Sequence, residues 1–154
     1  MRLNNTEILL TEPRGFCAGV ERAIEIVNRA VVIFDETIYV KHEVVHNKQV
    51  IEKLVEKWVV FVDSLDIVPD GSILIYSAHG VSKEISDSAK KKRLKIFDAT
   101  CPLVTKVHFE IHKFASQNVD VVLVGHSGHP EVEGTMGQYI SEKGKIHLIE
   151  TTND

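Results

Sequence analysis

The chain has 154 residues, 44% of them hydrophobic, and its 18 Lys+Arg against 22 Asp+Glu leave a net charge of −4. A chain of this size and apolar content can bury a core without metal or disulfide staples, and does not read as disordered. The mild acidity gives no electrostatic reason to expect a nucleic-acid partner, and nowhere do about 18 apolar residues run together as a membrane span requires.

The first residues, MRLNNTEILLTEPRG, hold a short apolar patch that meets Glu-Pro-Arg instead of a small-residue cleavage site, so no signal peptide is expected. Two cysteines without an export signal imply a reducing cytoplasm, where thiols serve chemistry more often than disulfides. Within that N-terminal stretch Glu7–Leu10 reads as a strand. From Cys17 to about Phe34, apolar residues fall at Val20, Ala23, Ile24, Val27, Ala30, Val31 and Phe34, the spacing of a helix buried along one side. Thr37–Val40 reads as strand, and Asn47–Lys57 as helix with Asn47 as N-cap. Trp58–Val62 and Ser72–Tyr76 are continuous apolar runs, which suit strands buried on both faces. Ser82–Arg93 reads as helix capped by Ser82, and Lys95–Phe97 as the next strand. Pro102 stands at the first position of a further helix, with a stripe of Val104, Val107, Ile111 and Phe114. Asp120–Val124 reads as another buried strand, and Lys145–Ile149 as the last. This alternation predicts an α/β fold, a mostly parallel sheet with helices on both faces. The expected unit boundary lies near Thr100, and the second unit looks unfinished.

In open α/β sheets ligands bind beyond the carboxyl ends of the strands. The strand-to-helix junctions here read Pro13-Arg14-Gly15-Phe16-Cys17-Ala18-Gly19, then His42 to Asn47, Ser77-Ala78-His79-Gly80, Asp98-Ala99-Thr100-Cys101-Pro102, and Gly125 to Glu131. Both cysteines and five of the eight histidines therefore belong to one rim. Cys17 and Cys101 each begin a helix, where the dipole favours the thiolate that binds metal or attacks an electrophile. Two unrelated buried thiols are the plainer alternative. Two cysteines alone cannot enclose a tetrahedral metal or a cubane cluster. His46, His79 and His129 offer N–H donors suited to phosphate or diphosphate, beside glycines that admit a close ligand. Glu131, just past Pro130, can donate a proton if a closed pocket raises its pKa, or simply answer a helix dipole.

His42-Glu43-Val44-Val45-His46 satisfies the H-E-x-x-H zinc-hydrolase pattern. That chemistry needs a helix, and here the pattern continues a β-rich run, so its two histidines are not expected to converge. His108 and His112, at i and i+4 on a credible helix, read as a solvated face.

The strings PRGFCAGVERAI, YVKHEVVHNKQV, SAHGVS, FDATCPLVTKVH and GHSGHPEVEGTMGQ, in this order and spacing, resemble the 4-hydroxy-3-methylbut-2-enyl diphosphate reductase (IspH/LytB) family over nearly the whole chain. One departure is Trp58, where the family commonly has a small residue such as Gly. The resemblance implies reductive removal of an allylic hydroxyl, giving isopentenyl and dimethylallyl diphosphates in the non-mevalonate isoprenoid pathway. It implies an oxygen-sensitive [4Fe-4S] cluster with Cys17 and Cys101 as two of three cysteine ligands. It also implies His46, His79 and His129 as substrate contacts, Glu131 as the proton-delivering acid, and an external donor such as ferredoxin or flavodoxin. The family has three similar α/β domains. Residues 1–100 then correspond to the first and 101–154 to part of the second, with the third domain and third cysteine outside this chain. An inactive truncated remnant is the alternative.

Overall fold

In the computed structural model, which describes residues 7–154, four short strands make one parallel sheet. They are β1 (Ile38–Lys41), β2 (Val59–Val62), β3 (Ile73–Tyr76) and β4 (Lys95–Asp98), and their order is β2-β1-β3-β4. Ile38 is in register with Val59 on one side and Ile73 on the other. Around the sheet lie α1 (Ala18–Ile33), α2 (Lys48–Val55), α3 (Lys83–Lys91) and a short 3-10 helix (Leu65–Ile67). A separate parallel pair, β5 (Val121–Val124) and β6 (Ile146–Ile149), accompanies α4 (Pro102–Ser116) and α5 (Pro130–Met136).

The apolar run Ser72–Tyr76 supplies β3, which is covered on both faces. Ile73 and Ile75 pack with Ile38, Val40, Ala23, Val27 and Ala30, the last three from the buried stripe of α1. The intervening Leu74 and Tyr76 point the other way, into a second cluster with Leu65, Val68 and Ala89 of α3. Successive strand residues alternate faces, so burial on both sides demands apolar side chains at every position. All four residues of β3 are accordingly buried. Asn47 accepts a hydrogen bond from the Val50 N–H and Ser82 one from the Ile85 N–H, caps worth about 1 kcal/mol each. Pro102 takes the first turn of α4, as the sequence reading expects.

Four expectations need correction. Trp58–Val62 is not a strand buried on both faces: Trp58 lies outside β2 and Val60 is exposed. Glu7–Leu10 forms no strand. Ile8, Leu9 and Leu10 are more than two-thirds exposed, and apolar β propensity makes a strand only where a neighbour supplies ladder partners. The helix from Ser82 ends at Lys91, because Arg93 already has left-handed backbone (φ 54°). The strand at Asp120–Val124 is not buried on both faces. Val121 and Leu123 are half-covered, whereas Val122 and Val124 face outward, since only one side of this pair is covered among the described residues.

Trp58 adopts φ 66° at the turn into β2 and is 83% exposed. Left-handed backbone costs a non-glycine residue about 1 kcal/mol, and this indole offsets little of it by burial. Trp58→Gly is therefore expected to raise stability by about 1 kcal/mol, read as a higher midpoint in urea at unchanged slope.

Candidate functional site

From β1 the chain passes through α2 to β2 on one side, whereas β3 lies on the other side of β1. The gap between the carboxyl ends of β1 and β3 is thus the topological switch point of the sheet, the usual crevice for ligands. The loop after β1 supplies His46 and the loop after β3 supplies His79. A third imidazole arrives from the other strand pair: His129 is the residue before α5. Ring centroids stand 4.8 Å apart for His46 and His79, 5.4 Å for His46 and His129, and 5.7 Å for His79 and His129. One nitrogen from each lies within 4.8 Å of the others.

Gly80 follows His79 directly and packs against His108. Its φ is +75°, and a Cβ there would sit 2.7 Å from His108 Cε1, so a side chain is excluded on conformational and steric grounds together. His79 is buried, and that burial, followed by the like charges His46, His129 and His42 would carry, depresses its pKa from 6.5 to about 4. At neutral pH its ring is therefore uncharged. His129 Nδ1 accepts a hydrogen bond from the Glu131 N–H at 3.2 Å. Neutral His129 then carries its proton on Nε2, as a donor free to meet an anion. Such a group of imidazoles can bind an anionic oxygen cluster, and three neutral rings at this spacing can also ligate a divalent metal.

The His79 shift sets a pH dependence of stability. An unfolded chain binds a proton on this ring at 6.5, whereas the folded one resists it until about 4. Stability should be level above pH 6.5 and fall as the pH drops from 6.5 towards 4. His79→Gln should flatten that limb in thermal melts taken across the window.

Cys17 and Cys101 are the N-cap residues of α1 and α4, and neither thiol is used in a capping bond. Both are free; Cys17 is exposed and Cys101 partly covered. Although remote in sequence, they belong to adjoining parts of the molecule. Arg22 of α1 donates to the Thr100 carbonyl at 3.1 Å and the Asp98 carbonyl at 3.3 Å, pinning the start of α1 to the loop that carries Cys101. Cys101 Sγ lies against the first turn of α1, so close that a Cβ on Gly19 would be 2.6 Å away. The Cys101 N–H donates to the Ala78 carbonyl at 2.9 Å, tying this thiol to the loop of His79.

Glu131 reaches the same rim through its backbone bond to His129, but its side chain is exposed, not enclosed in a closed pocket. The H-E-x-x-H run is not helical. His46 joins the histidine group, while His42 turns to Asp63, Nδ1 to Oδ1 3.0 Å. His108 corrects an expectation: it is no part of a solvated face. It is half-buried against Gly80, and its Nε2 is shielded with no hydrogen-bond partner among the described residues, whereas His112 is exposed. The sequence reading also passed over Arg22, Lys41 and Asp63. Arg22 reads locally as one more polar residue on an amphipathic helix, and only the tertiary fold gives it two carbonyls. Lys41, His42 and Asp63 line a polar cleft of about 640 Å³ together with Ser82, Glu84 and Glu133.

The family model described as LytB protein matches residues 8–154. The chain is 58% identical over 148 residues to the 4-hydroxy-3-methylbut-2-enyl diphosphate reductase of Methylococcus capsulatus, covering 96% of this chain and 47% of that protein. It is 59% identical to the protein of the same name from Pseudoalteromonas translucida, covering 96% and 48%. Among solved structures, E-1-hydroxy-2-methyl-but-2-enyl-4-diphosphate reductase from Plasmodium falciparum superimposes with a TM-score of 0.85 at 47% identity, covering 92% of this chain and 44% of that one. A second, (E)-4-hydroxy-3-methyl-but-2-enyl diphosphate reductase, described as the terminal enzyme of the non-mevalonate pathway, gives 0.80 at 34% identity and covers 96% and 52%. This chain belongs to the LytB family, and it spans about half the length of the curated relatives it matches.

Proposed function

We propose that this member of the LytB family supplies the diphosphate-gripping and part of the cluster-holding machinery of a 4-hydroxy-3-methylbut-2-enyl diphosphate reductase. The activity is proposed for a full-length protein that carries these residues. The observation that carries the reading is the convergence of His46, His79 and His129, with ring centroids 4.8 to 5.7 Å apart, beside the loop that holds Cys101.

In this reading the three imidazoles donate N–H bonds to the substrate's diphosphate, and the buried, uncharged ring of His79 limits repulsion within the group before the anion arrives. Glu131 delivers a proton to the departing hydroxyl, which leaves as water. Two electrons and a second proton, delivered to carbon, then yield isopentenyl or dimethylallyl diphosphate. Cys17 and Cys101 suit two ligands of a [4Fe-4S] cluster: both thiols are unbonded, both stand at helix starts that favour thiolate, and Gly19 leaves the room that a Cβ would fill. Such a cluster, when bound, supplies the electrons and a Lewis-acidic iron for the hydroxyl; a third cysteine comes from the remainder of the protein. An external donor, ferredoxin or flavodoxin, replenishes the electrons, and the protein works in the cytoplasm. Among the described residues no helix is long and apolar enough to cross a membrane.

Residues 1–100 are read as a first α/β domain and 101–154 as part of a second. The bare outer face of β5, with Val122 and Val124 exposed, supports that reading, because a two-stranded parallel pair is too small to be stable unaided.

Anaerobic reconstitution of a full-length protein carrying this segment tests the reading. Uptake of iron and sulfide with reductase activity on the allylic diphosphate is expected. Stoichiometric zinc with no iron or sulfide uptake rejects it, in favour of a metal held by the three histidines.

A further inference from the structure

We infer that Asp63 and His42 are a positioning pair: the carboxylate holds the imidazole, and the imidazole holds the left-handed turn that delivers His46 to His79 and His129. The functional half of this inference rests on the diphosphate reading of those three histidines; the geometric half does not.

The turn begins where β1 ends. His42 has φ 60°, a conformation that costs a residue with a Cβ about 1 to 2 kcal/mol and persists only where its surroundings over-determine it. Here the surroundings are visible. The His42 N–H donates to the Val62 carbonyl at 3.0 Å, extending the β1–β2 ladder by one bond. The next residue along β2's exit, Asp63, takes the side chain, with Oδ1 3.0 Å from Nδ1. Lys41 Nζ stands beside the same ring, 2.5 Å from Nε2 and 3.4 Å from Nδ1. An ammonium has no lone pair, so we assign Nε2, its nearer neighbour, as the acceptor from Lys41 and Nδ1 as the carrier of the hydrogen given to Asp63. A neutral imidazole thus bridges a buried cation and a surface carboxylate, with Glu133 of α5 as the further charge facing the pair. Burial, together with Lys41, holds the His42 pKa below its usual value and favours this neutral form.

The pair is asymmetric in exposure: the His42 side chain is 17% exposed and the Asp63 side chain 95%. An exposed carboxylate contributes little to general stability, which makes Asp63 a handle on the turn alone. Beyond His42, Val44 and Val45 enter the core, so the four-residue path to His46 is held at its start by the Asp63 clamp and in its middle by burial. The first half of the H-E-x-x-H string therefore serves the second half by position, without metal.

The test compares Asp63→Ala with Asp63→Asn in a full-length protein carrying this segment, with histidine labelled for NMR. Two readouts are taken: the NOE between the His46 and His79 rings, and the affinity for inorganic diphosphate by calorimetry. Asp63→Ala should lose the NOE and bind diphosphate about five- to tenfold more weakly, the effect of one positioning hydrogen bond. Asp63→Asn keeps an oxygen acceptor for Nδ1–H and should retain the NOE, with affinity within about twofold of the parent. An unchanged NOE in Asp63→Ala, or loss in both variants alike, overturns the inference and leaves the burial of Val44 and Val45 to place His46. If the parent binds no diphosphate while Asp63→Ala alone loses the NOE, the positioning pair stands and the diphosphate reading fails.

Discussion

Replacement of either Cys17 or Cys101 by serine in a full-length protein carrying these residues is expected to remove the iron–sulfur centre. Serine oxygen is a harder and much weaker ligand for cluster iron than thiolate, and a site held by three cysteines has none to spare. Iron and sulfide should fall from about four atoms each per chain to background after anaerobic reconstitution, with loss of the visible absorption band. The effect should be equal for the two residues, because the Arg22 bonds and the Gly19 contact place both at one junction. Full iron content in one variant removes that cysteine from the ligand set. Neither change should unfold the protein, since Cys17 is exposed and neither thiol caps its helix.

Glu131→Gln should separate binding from turnover. Its backbone N–H, not its side chain, makes the bond that orients His129, so the histidine group should survive the substitution. The amide can still hydrogen-bond, but it cannot surrender a proton. Positioned general acids contribute about 10²- to 10⁴-fold, so kcat should fall by that factor while the substrate Kd moves by no more than about threefold. Single-turnover kinetics with an equilibrium binding measurement checks both. Unchanged turnover assigns the proton to another donor. A parallel loss of affinity instead makes Glu131 a binding group.

Much of the fold is legible in the residues because β3 of the larger sheet is buried on both faces. Ile73 to Tyr76 has to be apolar throughout, and such a run between turn residues has few other uses. Asn47 and Ser82 announce their helices through side chains that satisfy N–H groups close by, an effect visible in a window of four residues. Glu7–Leu10 and the outer face of β5 misled for the converse reason. Their composition fits a covered strand, and composition carries no information on whether a cover is present.

The site divides in the same way. The junction residues were enough to collect both cysteines and His46, His79 and His129, but a shared sheet edge accounts only for His46, His79 and Cys101, since Cys17 follows no strand and His129 follows β5 of the separate pair. Distances of about 5 Å between rings from three loops were not legible, nor was the partner of His42, which lies at the exit of the neighbouring strand. His108 was misplaced because i, i+4 spacing identifies a helix face without saying what packs on it. Here that partner is Gly80, whose missing side chain leaves the room His108 fills.

Titration of the labelled full-length protein with inorganic diphosphate, monitored through the imidazole nitrogen resonances of the eight histidines in these 154 residues, addresses the histidine grip most directly. Concerted, saturable shifts at His46, His79 and His129, with the exposed His112 and His126 unmoved, are the expected result. Diphosphate that leaves those three resonances in place, or that moves His112 and His126 equally, would contradict the assignment of this rim as the diphosphate site.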